Sequence, residues 1–250
     1  MPANPSVLKA ISAIRKVIAS PGTTTRPDFE LYSSTNKLFR LSAEIVGDTE
    51  TLDAVLAFAP EIEAFRGKGS QMAASDFSRS IGALAFELKE RLPISASTPD
   101  QFMREEEIPP SAKDVVDCLG NLAAHAFART LGKPVRSRHA GQLRATAWET
   151  LARISEILRR PEHLAHALKV AEDTRAATYE RQAAIGFLVE YWGSDDPDEA
   201  TATLLWKLEK KPPDRTFLVA VLRAQIELGL NNEFGALAAV DDWDAAEQDE

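Results

Sequence analysis

Apolar residues recur every three or four positions along most of the chain, while strictly alternating runs and Asn-Gly type hairpin turns are absent. That spacing predicts helices. Val7, Leu8, Ile11, Ile14 and Ile18 mark a first helix over 5–19, ended by Ser20-Pro21-Gly22. A second is expected from Asp28 to Val46, with Leu31, Leu38, Leu41 and Ile45 on one face and a stop at Gly47. Its start, Phe29–Tyr32, also suits a short strand. Thr49–Phe65 and Ser70–Leu92 follow as core helices, bounded by Gly67, Gly69 and Pro93.

The segment 94–110 holds Pro99, Pro109, Pro110 and the acidic triplet Glu105–Glu107, and reads as a linker. Beyond it, Ser111 with Asp114 has capping-box spacing and opens a helix to about Leu131. Another is expected over 139–160, with Leu143, Ala147, Leu151, Ile154 and Leu158 facing inward. From Pro161 the helices shorten: Pro161–Asp173, Ala176–Trp192, Pro197–Lys210, Pro213–Leu228 and Asn231–Trp243. Short connections make such neighbours antiparallel. The expected architecture is all-α, with helical hairpins stacked as a short α-solenoid after an N-terminal helical part. Its expected divisions are 1–93, a linker or long loop at 94–110, a repeat part at 111–243 and an acidic tail at 244–250.

The repeat has a period in the mid-thirties: Leu164–Leu168 aligns with Ala200–Leu204 at an offset of 36, and Arg181 with Arg215 at 34. Tyr191, Ala200, Leu204 and Pro212 stand at spacings of 9, 4 and 8. On these residues the stretch from about Arg144 to Trp243 resembles the tetratricopeptide family, with an aromatic in helix A, a small and a large apolar residue in helix B and a terminating proline. Leu228–Ala236 resembles the turn within such a repeat. The position of the family's helix-A glycine is occupied by Leu188. HEAT-like repeats fit the same pattern. Either resemblance implies a scaffold that binds peptides, proteins or, less often, nucleic acid on one face.

Composition narrows this reading. No stretch approaches the 18–20 uncharged apolar residues that cross a bilayer. The single cysteine, Cys118, excludes an internal disulfide and a Cys-based zinc finger, and suits a cytoplasmic setting. The start of the chain is basic and amphipathic up to Asp28, the first acid; it reads as the first helix of the fold, with a targeting segment as the alternative. The net charge of −9 opposes general attraction to nucleic acid. Even so, 129–160 carries eight basic residues against two acidic ones, while six acids crowd the last ten positions, so that tail is expected to be frayed and solvated.

Candidate chemistry is sparse. Glu162, His163 and His166 share the start of a helix but lack a third strong ligand and zinc-protease spacing. Cys118 and His125 lie two turns apart on one helix, beyond reach of each other, and no phosphate loop or nucleophile elbow occurs. No catalytic residue, cofactor or metal site is therefore expected. Arg144, Arg181 and Arg215 fall at corresponding points of successive hairpins. They would form a ladder suited to acidic peptides, or pair with acids of the neighbouring repeat. Trp148, Trp192 and Trp206 are expected in the core, and Trp243, among acids, as an exposed anchor. The expected function is non-enzymatic: a module binding a protein or acidic peptide through Arg144, Arg181, Arg215, Arg136, Arg138 and Trp243. The alternative is a nucleic-acid or phosphate binder acting through 129–160.

Overall fold

The computed structural model describes residues 2–19, 27–65, 70–92, 112–134 and 137–248. Among them are twelve helices and no strand. They are α1 (Pro5–Ala19), α2 (Pro27–Phe39), α3 (Ser42–Ile45), α4 (Thr49–Ala64), α5 (Ser70–Glu90), α6 (Lys113–Thr130), α7 (Arg138–Ser155), α8 (Pro161–Glu172), α9 (Thr178–Trp192), α10 (Glu199–Glu209), α11 (Arg215–Glu227) and α12 (Glu233–Gln248). The chain divides into two compact units, Met1–Thr130 and Leu131–Glu250. The linker expected at 94–110, and Ser111 of the expected capping box, lie outside the described residues.

In the first unit α4 is central, touching α1, α3, α5 and α6. Val7, Ile11 and Ile14 bury the apolar stripe of α1, so this basic segment is packed as a helix of the unit. Phe77 stands edge-on to both Phe39 and Phe58, with ring centroids 5.2 and 5.8 Å away. The helix expected over 28–46 is broken at Arg40 and Leu41, and Phe29–Tyr32 is helical. After the break, the short α3 ends with Ile45 and Val46 both buried. Arg91 then donates to the carbonyls of Ala43 and Val46, at 2.8 Å each, closing the end of α3. Helix α6, expected to lead the repeat part, packs on α4 and α5 and belongs to this first unit.

The second unit is a two-layered stack. Helices α7, α9 and α11 follow one another in one layer, and α8 touches α10 in the other. Each odd helix sits against its predecessor in the layer and against the even helix just before it: α9 on α7 and α8, α11 on α9 and α10. Aspartates start the later helices, Asp198 accepting from the Thr201 N–H and Asp214 from the Phe217 N–H, both at 2.8 Å. Helix α7 stops at Ser155 instead of reaching 160, and Arg160, before Pro161, is extended (φ −126°, ψ 118°). The acids after Trp243 continue α12 through Gln248, so the expected frayed tail is helical that far.

Pairing of α7 with α9 is the most extensive contact between helices, and two residues permit it. Gly141 is buried, and a Cβ placed there would come within 2.6 Å of the Cβ of Ala177. Further along, Trp148 is fully buried against Phe187, with centroids 5.3 Å apart. The small residue expected to allow close approach in the repeat motif, Ala200, is exposed instead. Thr201, Leu204, Leu205 and Leu208 form the inner face of α10, and Ala200 precedes that stripe by one residue, turning it outward.

Two substitutions separate packing from helix propensity. Gly141→Ala gains roughly 1 kcal/mol of propensity but forces α7 from α9, and should lower stability by about 1–3 kcal/mol net. Gly186→Ala, on an exposed point of α9 with nothing within 4 Å, should raise it by about 0.5–1 kcal/mol. Urea unfolding of both variants checks this; a stabilised Gly141→Ala would contradict the close approach.

Candidate interaction surface

The three ladder arginines do sit at corresponding places, early in α7, α9 and α11. Arg144 and Arg181 are turned into the stack, whereas Arg215 stays exposed. Arg144 donates from Nη1 to Glu180 Oε1 at 3.2 Å, and from Nη2 to the carbonyls of Leu131 and Lys133 at 3.1 and 2.9 Å. It thereby holds the turn at Gly132, whose φ of +100° suits glycine. Arg181 is only 4% exposed; its Nε donates to the Ala171 carbonyl at 3.0 Å, and its guanidinium lies 4.3 Å from the ring centre of Phe217. One side chain thus closes the end of α8 and stacks on α11. Arg215 grips Asp244 with two parallel bonds of 2.9 and 3.2 Å, tying the start of α11 to the later part of α12.

The repeat period reappears as ion pairs. Arg144–Glu180 and Arg159–Asp195 each span 36 residues, and Glu172–Lys207 spans 35. Glu180 is 1% exposed, and burial pushes its carboxyl above the ordinary range against the pull of Arg144. With Arg144, four of the eight basic residues of 129–160 stand beside acids. Arg129 pairs with Glu63 and donates to Ser78, Arg159 also reaches the Trp192 carbonyl, and Arg160 stands 3.9 Å from Glu162. Arg138 is exposed, its guanidinium 5.9 Å from the ring centre of Tyr179. Arg136 lies outside the described residues.

Other candidates resolve into packing. His163 is 5% exposed, and burial pushes its imidazole down to about 4; His166 stacks on Trp148, with ring centres 5.4 Å apart. No group of three or more potential metal ligands occurs among the described residues. Cys118 is buried, its thiol pushed up to about 11 by desolvation and nearby aspartates. Trp148 is core and Trp192 is half-buried, donating to Thr201 Oγ1 at 3.1 Å. Trp206, expected inside, is 38% exposed, because it lies off the inner stripe of α10. Trp243, expected as an exposed anchor, is half-buried against the cluster of Leu218, Leu222 and Ala236. It falls seven residues after Ala236, on the same inward stripe as Ala239 and Val240.

The open surface lies elsewhere. Helix α11 ends in a Schellman turn: Leu230 N–H donates to the Gln225 carbonyl, Gly229 N–H to that of Ile226, and Gly229 takes φ +69°. Fully buried Gln225 braces the turn, donating to Glu209 and accepting from Asn231. Asn232 then caps α12 by accepting from the Gly235 N–H at 2.9 Å. So placed, α11 and α12 flank a groove of about 380 Å³ lined by Val219, Leu222, Ile226, Ala236, Leu237 and Val240, with Arg223 and Glu233 at its rim. Phe234 (85% exposed) and Leu237 (62%) are the most exposed large apolar residues among those described. Sequence reasoning passed over them; their signal was an apolar row at 219, 222 and 226 on α11 besides the buried one at 217, 218 and 221. Comparison of the chain with protein-family models, curated proteins and solved structures found no match.

If Arg181 works inside the stack, Arg181→Ala should cost about 2–4 kcal/mol by leaving a cavity and an unpaired carbonyl, whereas exposed Arg138→Ala should cost about 0.5 kcal/mol or less. Chemical denaturation of the two variants decides between a structural and a surface ladder. His163 gives a pH signature. Its folded pKa lies below its unfolded value, so its stabilising share is present above about 6.5 and is lost as pH falls toward about 4. His163→Gln should flatten that part of the pH–stability curve, and an unchanged curve would contradict the burial.

Proposed function

We propose that the chain is a non-enzymatic interaction module whose C-terminal helical stack, of tetratricopeptide-like or HEAT-like type, receives a partner protein at the α11/α12 groove. One observation carries this reading: an open apolar groove lined by Leu237, one of the two most exposed large apolar side chains described. Exposed apolar surface of that kind is costly in water and marks docking sites. The inward engagement of Arg144 and Arg181, with Arg215 held by Asp244, argues against an acidic peptide bound along the ladder. Pairing of Arg129, Arg144 and Arg159 with acids elsewhere in the chain argues in the same way against nucleic acid. No described helix is long and apolar enough to cross a membrane. The reading includes a cytoplasmic setting, which the lone buried Cys118 suits.

A photo-crosslinking residue in place of Leu237 should give discrete adducts in cells, while the same residue at Ala165, an exposed point of α8, should give none. Absence of adducts from Leu237, or an identical pattern from both positions, would overturn the reading.

A further inference from the structure

We propose that the occupant of the α11/α12 groove is an amphipathic helix of the partner protein, seated as the next helix of the odd layer and basic along the edge that meets α12. The proposal rests on the interaction reading above and deepens it. Its first ground is the continuity of the stack. Helix α9 lies in the angle between α7 and α8, and α11 lies in the angle between α9 and α10. The angle between α11 and α12 is the next such seat, and it is an open groove.

The second ground is the sequence of α11. Phe217, Leu218, Val221, Leu222 and Ala224 are buried, while half-buried Val219 and Ile226 stand at helical spacing and line the groove beside Leu222. A helix apolar on two sides suits a place between neighbours. Thirteen residues of α11 give a seat about 20 Å long, which a helix of roughly a dozen residues would fill. Such a helix would present its own i, i+3, i+4, i+7 stripe, as helices do when laid in grooves.

The third ground is charge. Helix α12 carries Glu233, Asp241, Asp242, Asp244 and Glu247 and no basic residue. Glu233, Leu237 and Asp241 fall on one i, i+4 row, and all three are exposed. Acids thus bracket Leu237 at the lip of the groove. A second copy docked through the same face would set these carboxylates against their like, whereas lysines or arginines on an incoming helix would meet them. Arg223, on the α11 rim, favours an acid on the opposite edge of that helix.

The test uses the full chain and three fluorescein-labelled helical peptides of about eighteen residues. Two share one leucine stripe and carry either lysines or glutamates on the edge meeting α12; the third has the lysine composition with the stripe scrambled. Fluorescence anisotropy at about 0.15 M salt should show saturable binding of the striped lysine peptide alone. Leu237→Glu should weaken it at least about tenfold with an unchanged circular dichroism spectrum, and Glu233→Lys with Asp241→Lys should shift preference toward the glutamate peptide. Binding that ignores Leu237→Glu, or equal binding of the scrambled peptide, would overturn the proposal. Equal, Leu237-dependent binding of both striped peptides would remove the basic helix while leaving the docking reading intact. A dimer dissolved by Leu237→Glu, with no peptide bound, would give the groove to a second copy. No binding by a monomeric chain would overturn the peptide proposal alone; crosslinking from Leu237 then reports on the broader reading.

Discussion

Gly141 and Ala177 come so close that no further methyl group fits between them, and the second unit is organised by that contact. It brings α7 against α9 along most of their length and buries Trp148 beside Phe187. It also carries Glu180 out of water, at a desolvation cost that pushes its carboxyl up. Arg144 offsets part of that cost and in the same fork holds the carbonyls of the preceding turn. Later hairpins vary this device: Arg181 substitutes a carbonyl and an aromatic face for a carboxylate, and exposed Arg215 uses the half-buried Asp244. Exposure grades from buried Arg181 through half-buried Arg144 to exposed Arg215, so the three differ in worth; the surface pair contributes least.

This gradient explains why a regular ladder need not be a binding surface. Guanidinium groups one repeat apart are equally well placed to join adjacent hairpins or to face a ligand, and sequence spacing is the same in both cases. What separates them is the acid or carbonyl one period away. Glu180 and Asp195 stand 36 residues after Arg144 and Arg159, so this part of the answer was present in the sequence. The partner of Arg181, a main-chain carbonyl, leaves no such trace.

Helix positions were legible wherever apolar stripes and prolines or glycines coincided, from Pro161 onward above all. Boundaries were misplaced where the apolar stripe ran on past the end of a helix: at Ser155, short of Arg160, and at Arg40 and Leu41, where α2 gives way to α3. Membership of α6 in the first unit depends on contacts with α4 and α5 that no single-chain periodicity encodes. The groove was hidden for a further reason. Apolar residues at 219, 226 and 237 look like core by their spacing, yet Val219 and Ile226 are half-buried and Leu237 is exposed. Trp243 was misread in the opposite sense, since its acidic neighbours in sequence occupy other faces of α12 and leave its ring directed at α11.

The central claim is a division of labour within the second unit, with arginines inward for cohesion and the α11/α12 groove outward for a partner. Hydrogen exchange, followed by mass spectrometry with and without the striped lysine peptide, tests it across the whole chain at once. The account predicts slowed exchange concentrated in α11 and α12, with the segments around Arg144 and Arg181 unchanged. Protection centred on the first turns of α7 and α9 would contradict it.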